Sequence, residues 1–104
     1  MYALIVDFIL RPECEHDFDA LVGELLRYVA GEEHTLCYVV HTPDLVSDHA
    51  TRVFYELYET REAYLQHENT DYVQRFLKMR IKYLAAPVRV RALRASESKL
   101  TFGA

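Results

Sequence analysis

Residues 2–31 read YALIVDFILRPECEHDFDALVGELLRYVAG, and the hydrophobic period changes once within them. Residues 2–10 are rich in β-branched and aromatic side chains and are bounded by Arg11-Pro12, which predicts a strand. Both alternating sets are apolar apart from Asp7: Tyr2, Leu4, Val6, Phe8 and Leu10 on one side, Ala3, Ile5 and Ile9 on the other. A strand of that kind needs cover on each face. From Pro12 onward the spacing becomes helical, with Phe18, Leu21, Val22, Leu25, Leu26 and Val29 on one stripe. Pro12 with Glu13, Glu15 and Asp17 supplies helix-start chemistry, and Gly31 a stop.

Working outward, a second strand is expected at about Thr35 to His41, followed by a loop from Thr42-Pro43-Asp44 through Ser47-Asp48. A third strand is expected from about Arg52 to Glu59. Thr60 can cap a short helix containing Ala63, Tyr64 and His67; Asn69 or Thr70 can cap a longer one through Tyr72, Val73, Phe76, Leu77, Met79 and Tyr83. Pro87 ends that helical run and opens a last strand, Val88 to Leu93. The order is β-α-β-β-α-β, the split pattern of a ferredoxin-like α+β fold with helices on one face of an antiparallel sheet. That topology covers one face of the first strand only. The other is therefore expected to meet the sheet of a second copy, giving a homodimer.

At 104 residues the chain has room for a single domain over 1–104, with its core in about 1–93 and a tail from 94 to 104. A composition 51% hydrophobic and 27% charged suits a packed domain rather than a disordered chain. The formal net charge of -4 and pI of about 5.7 provide no basic field for nucleic acid or anionic membrane. Arg89, Arg91 and Arg94 read as a solvated strand face. Cys14 and Cys37 have neither zinc-ligand spacing nor the density of a disulfide scaffold, so reduced thiols in a cytoplasmic protein are expected. MYALIVDFIL has no basic leader or cleavage site, and no apolar stretch reaches membrane-spanning length. His16, His34, His41 and His49 show no HExxH spacing, and there is no phosphate-cradling glycine loop or GxSxG elbow.

Residues 52–77, RVFYELYETREAYLQHENTDYVQRFL, carry a further pattern: Glu56 and Tyr58 on a strand, Ala63 and His67 on a helix, Thr70 in a turn, then Tyr72 and Phe76. Upstream stand Glu32-Glu33-His34-Thr35-Leu36-Cys37-Tyr38. Together these resemble the antibiotic biosynthesis monooxygenase (ABM) family of the dimeric α/β barrel superfamily, over about residues 1–93. Two departures stand out: His34 where the family usually has Gly, and Tyr72 where many members carry a second His. The resemblance implies oxygenation of an electron-rich aromatic such as a quinol, an anthrone or a polyketide-like molecule, without metal, flavin or other cofactor. It also leaves room for an isomerase or cyclase on the same scaffold, or for a non-catalytic small-molecule binding domain. Haem-degrading relatives use a strand Asn, a Trp and a His ligand. Here Asp7 stands at the Asn position, Leu77 at the ligand position, and Trp is absent, so haem breakdown is not implied.

Cofactor-free oxygenation needs a base to form a phenolate or enolate and a dry pocket to hold it. Asp7 interrupts an apolar strand, and burial would raise its pKa toward that of a useful base; a structural hydrogen bond or a wet edge explains it equally well. His67 can carry a proton near neutral pH, although a helix-face histidine also serves as packing. Tyr72 replaces the second His and is the third candidate catalytic group. Tyr38, Tyr55, Tyr58, Tyr64 and Tyr72 combine an apolar body with a phenolic tip, suited either to a core or to holding an aromatic ring. Tyr38, Glu56, Tyr58, Tyr64 and Phe76 are taken as substrate-binding. Glu56 is alternatively a partner of Arg52 or Arg80.

Overall fold

Strand β1 (Tyr2–Leu10) lies inside a four-stranded antiparallel sheet of order β2-β3-β1-β4, with β2 at Thr35–His41, β3 at Ala50–Tyr58 and β4 at Arg89–Arg94. These strands belong to a computed structural model that describes residues 1–45 and 50–100. Ser47-Asp48 of the expected loop, His49, and residues 101–104 of the expected tail lie outside the described residues. Three helices pack against the sheet, α1 (Glu15–Val29), α2 (Arg61–Glu68) and α3 (Asp71–Met79), giving the ferredoxin-like α+β arrangement.

The expected helical stripe is the buried one: Phe18, Leu21, Val22, Leu25 and Val29 of α1 face the sheet. Pro12 does not begin the α-helix itself but a 3-10 turn, Pro12–Cys14, that leads into it. Both expected threonine caps are formed. The Thr60 hydroxyl accepts from the Ala63 N–H at 3.1 Å. Thr70, not Asn69, caps α3 by accepting from the Val73 N–H at 3.4 Å, and its hydroxyl donates to the His67 carbonyl at 2.7 Å. One side chain thus satisfies an orphan carbonyl at the end of α2 and an orphan N–H at the start of α3.

The helical run stops earlier than Pro87. After α3 a 3-10 turn covers Arg80–Tyr83, and the chain then runs extended, with Leu84 bridging Leu10 and the Ala85 N–H donating to the Ile9 carbonyl at 2.8 Å. Tertiary pairing with the end of β1 claims these backbone groups before the proline does.

Register divides the sheet into two faces. Tyr2 pairs with Tyr58, Val6 with Phe54 and Phe8 with Arg52, so even-numbered residues of β1 and β3 share the helix side. There Phe8, Phe18, Phe54 and Phe76 form an aromatic cluster, with Phe8 and Phe54 centroids 4.5 Å apart. Rings at such separations add about 0.5–1.5 kcal/mol per pair to their area burial. Arg52, buried on the same side, donates to both oxygens of Asp19 at 3.0 and 2.9 Å and to Glu15 at 3.0 Å, tying α1 to β3. The odd-numbered face carries Ile5, Asp7, Ile9, Val53, Tyr55 and Leu57, and among the described residues the buried helix side chains cluster with the even-numbered face instead.

Candidate functional site

The even-numbered face of β3 ends in Phe54, Glu56 and Tyr58, all buried. Tyr38 on β2 stands opposite Glu56. A bulge between Thr35 and Cys37 puts two residues of β2 against one of β3, so Thr35, paired with Tyr58, is turned to the same face as Tyr38. Without that extra residue, strand alternation would send Thr35 to the open face.

Between this part of the sheet and the helices lies a cavity of about 70 Å³, lined by Phe8, Tyr38, Glu56, Tyr64, His67 and Arg80 among others. The walls are mostly apolar and aromatic. The Tyr58 hydroxyl donates to Glu56 Oε1 at 2.5 Å. Burial raises the Glu56 carboxyl above the usual carboxylate range, an effect opposed by the Tyr58 hydrogen bond and by the Arg80 guanidinium. Tyr38, Tyr58 and Tyr64 are all raised above the ordinary phenol range, in each case chiefly by burial, so they remain protonated hydrogen-bond donors. The Tyr64 hydroxyl donates to Glu68 at 2.9 Å.

Arg80 supplies the cation. Its guanidinium carbon lies 5.4 Å from the Phe8 ring centre and 5.6 Å from that of Phe76, a cation–π arrangement. Burial lowers its pKa, while Glu68, Tyr38 and Glu56 pull the other way.

His67 forms another part of the wall, its ring 5.6 Å from that of Tyr38 and 5.3 Å from that of Tyr58. Its Nδ1 is 2.8 and 3.0 Å from the two oxygens of Glu32. Glu32 also accepts from the Thr35 hydroxyl at 2.6 Å and from the Tyr72 hydroxyl. Burial and the Glu32 contact push the Tyr72 phenol up to about 12.

The structure therefore gathers Tyr38, Glu56, Tyr64, His67 and Phe76 around one space; Tyr58 does not line it but is bonded to Glu56. Phe76 is at once a cavity wall and a member of the core cluster. Tyr72 stands behind His67, joined to it through Glu32. Asp7 does not join them. Strand alternation turns it, half-buried, to the odd-numbered face between Ile5 and Ile9, opposite Val53 and Arg89. Tyr55 shares that face. The expected Glu56–Arg52 pair is absent as well, because Arg52 is taken by Asp19 and Glu15.

Two residues of the site carry no functional role in the sequence reading, Arg80 being an alternative partner of Glu56 and Glu32 lying within the stretch that resembles the family. Arg80 had a signal, since it lies four residues after Phe76, at the spacing that returns a helix to the same stripe. Glu32 sits just after α1, outside any periodic segment. Among the described residues no group of three or more His, Cys, Asp or Glu side chains is placed to hold a metal ion, and no helix is long and apolar enough to cross a membrane.

The family model described as antibiotic biosynthesis monooxygenase matches residues 1–79 of this chain. The chain belongs to the antibiotic biosynthesis monooxygenase family. Its fold is similar to a crystal structure described as antibiotic biosynthesis monooxygenase, with a TM-score of 0.84 at 22% identity, covering 93% of this chain and 100% of the other. It is similar to Rv0793 from Mycobacterium tuberculosis, with a TM-score of 0.84 at 22% identity over 93% of this chain and 96% of that one. PA3566 from Pseudomonas aeruginosa gives 0.80 at 20% identity, covering 92% and 94%. No functionally curated protein matches the sequence. At these identities the structures speak for the fold, and the ABM match extends over Glu32, Glu56 and His67 but stops one residue before Arg80.

Proposed function

We propose that this chain is a cofactor-independent monooxygenase for a small electron-rich aromatic, with Glu56 as general base. The observation that carries the proposal is a buried carboxylate, raised by desolvation, on the wall of an aromatic cavity that also holds a guanidinium. A phenolic or benzylic C–H/O–H proton passes to the Glu56 carboxylate, and Arg80 stabilises the resulting anion in a poorly solvated space. The electron-rich anion gives one electron to oxygen, and the radical pair combines to a peroxide. Loss of water then leaves a carbonyl, so that CH₂ and O₂ become C=O and H₂O. Tyr38 donates a hydrogen bond to the substrate, the Tyr64 ring packs against it, and His67 takes the proton onward, backed by Glu32 and the Tyr72 hydroxyl bonded to it. Asp7, on the opposite face, takes no part in this scheme.

The cavity's volume limits the substrate. An apolar cavity of about 150 Å³ accepts benzene, so about 70 Å³ is space for waters rather than for a ring. The substrate therefore enters by displacing the half-buried part of the wall, Tyr64, Leu77 and Arg80. The odd-numbered sheet face, with Ile5, Ile9, Val39, Tyr55 and Leu93, pairs with a second copy to form a homodimer.

The test is oxygen uptake by the purified protein with a panel of naphthoquinols and anthrones. Uptake of one O₂ per product, with one labelled oxygen atom retained in the new carbonyl and no hydrogen peroxide released, supports the proposal. Product formation that continues at full rate without oxygen would instead establish an isomerase or cyclase using the same base.

A further inference from the structure

His67 touches two spaces. It lines the inner cavity beside Glu56, and it also lines an outer hollow of about 210 Å³ with Glu32, Thr35, Thr70 and Tyr72. Its side chain is only 4% exposed, so the ring is a partition between the two rather than a surface group. On the outer side its Nδ1 meets both oxygens of Glu32.

We propose that Glu32 is the positioning residue for His67, holding the imidazole with its proton on Nδ1 so that Nε2 carries the lone pair that accepts protons leaving the cavity. The inference rests on the reading of the cavity as a place where substrate is deprotonated. An ionised carboxylate can only accept hydrogen bonds. Both oxygens of Glu32 face Nδ1, and the other two groups on Glu32 are hydroxyls, from Thr35 and Tyr72. The Tyr72 phenol, pushed up to about 12, stays protonated and donates. Three donors converge on one carboxylate, and Nδ1–H is the form of the ring that fits this arrangement.

The remaining neighbours hold the ring in place without competing for Nδ1. The Tyr38 and Tyr58 rings pack against it, and the Thr70 hydroxyl holds its carbonyl. In the proposed step the proton on the Glu56 carboxylic acid moves to Nε2 through water in the cavity, regenerating the carboxylate. Glu32 offsets the charge of the imidazolium that forms. Only a proton changes place, and no other bond is made or broken. The same logic orients catalytic and metal-bound histidines, where an acceptor on one ring nitrogen sets the tautomer at the other.

The experiment is a long-range proton–nitrogen correlation spectrum of the full ¹⁵N-labelled chain in alkaline solution, with the His67 signals assigned by their loss in His67→Gln. The expected result is a pyrrole-like Nδ1 and a pyridine-like Nε2. Glu32→Ala should convert the ring to a mixture or to the Nε2–H form, and Glu32→Asp should restore the wild-type pattern at least in part. An Nε2–H ring in the wild type, or an unchanged pattern in Glu32→Ala with a native amide spectrum, would overturn the proposal. Should Glu32→Ala fail to fold, the wild-type pattern and that of Tyr72→Phe decide it, the latter expected to keep the Nδ1–H form. Since no turnover is read, a wrong tautomer rejects the positioning role alone, whereas absent oxygen uptake rejects the oxygenase reading.

Discussion

Glu56 and Asp7 are carboxylates on adjacent strands of one sheet, three register steps apart, and they live in different solvents. The register sets Leu4 opposite Glu56 and Val53 opposite Asp7, so the two side chains leave the sheet on opposite faces. On the helix side Glu56 is 6% exposed, receives one phenolic hydrogen bond, and is raised by burial. On the open side Asp7 is half-buried among Ile5, Ile9 and Val53, with Arg89 across from it on β4. A charge that interrupts an apolar strand thus takes its environment from the face it lies on, and a one-residue slip would exchange the two faces.

The sharpest structural test of that contrast uses neighbours on β3. Phe54→Ala removes the ring that meets Phe8, Phe18, Tyr38 and Phe76, and should cost about 3–5 kcal/mol in urea unfolding. Tyr55→Ala, one residue on but on the open face, should cost well under half of that in the monomer. Equal losses would mean that the two faces are not distinct environments.

Next in size is the effect on association. If the open face is the dimer interface, Ile5→Asp places an unpaired charge inside it and should weaken dimerisation by about a hundredfold or more, read by light scattering across a dilution series. A wild-type chain that is monomeric at micromolar concentration would remove the premise.

Arg52→Met tests the tie between α1 and the helix side. Asp19 and Glu15 are 51% and 45% exposed and regain water once the guanidinium is gone, so the loss should be about 1–2 kcal/mol rather than the larger penalty of a fully buried pair.

The smallest effect is a pH slope. Because the folded-state pKa of Glu56 is raised above its unfolded value, the native state binds the proton more tightly. Its contribution to stability is therefore complete below the unfolded pKa and is lost as pH rises through the folded one. Glu56→Gln should flatten that part of the stability–pH curve and leave neutral-pH stability equal or slightly higher. A steeper fall in stability with pH in the variant would reverse the assigned sign.

The parts of the fold that were legible in the sequence are those set by local physics. Tyr2–Leu10 has no competing reading, and the α1 stripe and the threonine caps follow from short-range spacing and hydrogen bonding. The end of the helical run was not legible. Leu84 and Ala85 are withdrawn from it by bonds to β1 more than seventy positions earlier in the chain. At the site, the tyrosines, Glu56 and His67 carry pattern-level signals. The side taken by Asp7 was not legible, because both alternating sets of β1 are apolar and such a strand does not reveal which set the helices cover. Glu32 gathers Thr35, His67 and Tyr72 only after the bulge in β2 and the α2–α3 turn have formed.

Oxygenation of one responsive anthrone, compared between Glu56→Gln and Asp7→Asn, tests the central claim most directly. Glu56→Gln is expected to lose about a hundredfold or more in kcat, the usual scale for a general base, and Asp7→Asn to keep near-wild-type turnover. The reverse pattern would place the base on the open face and contradict the assignment of the site to the helix side.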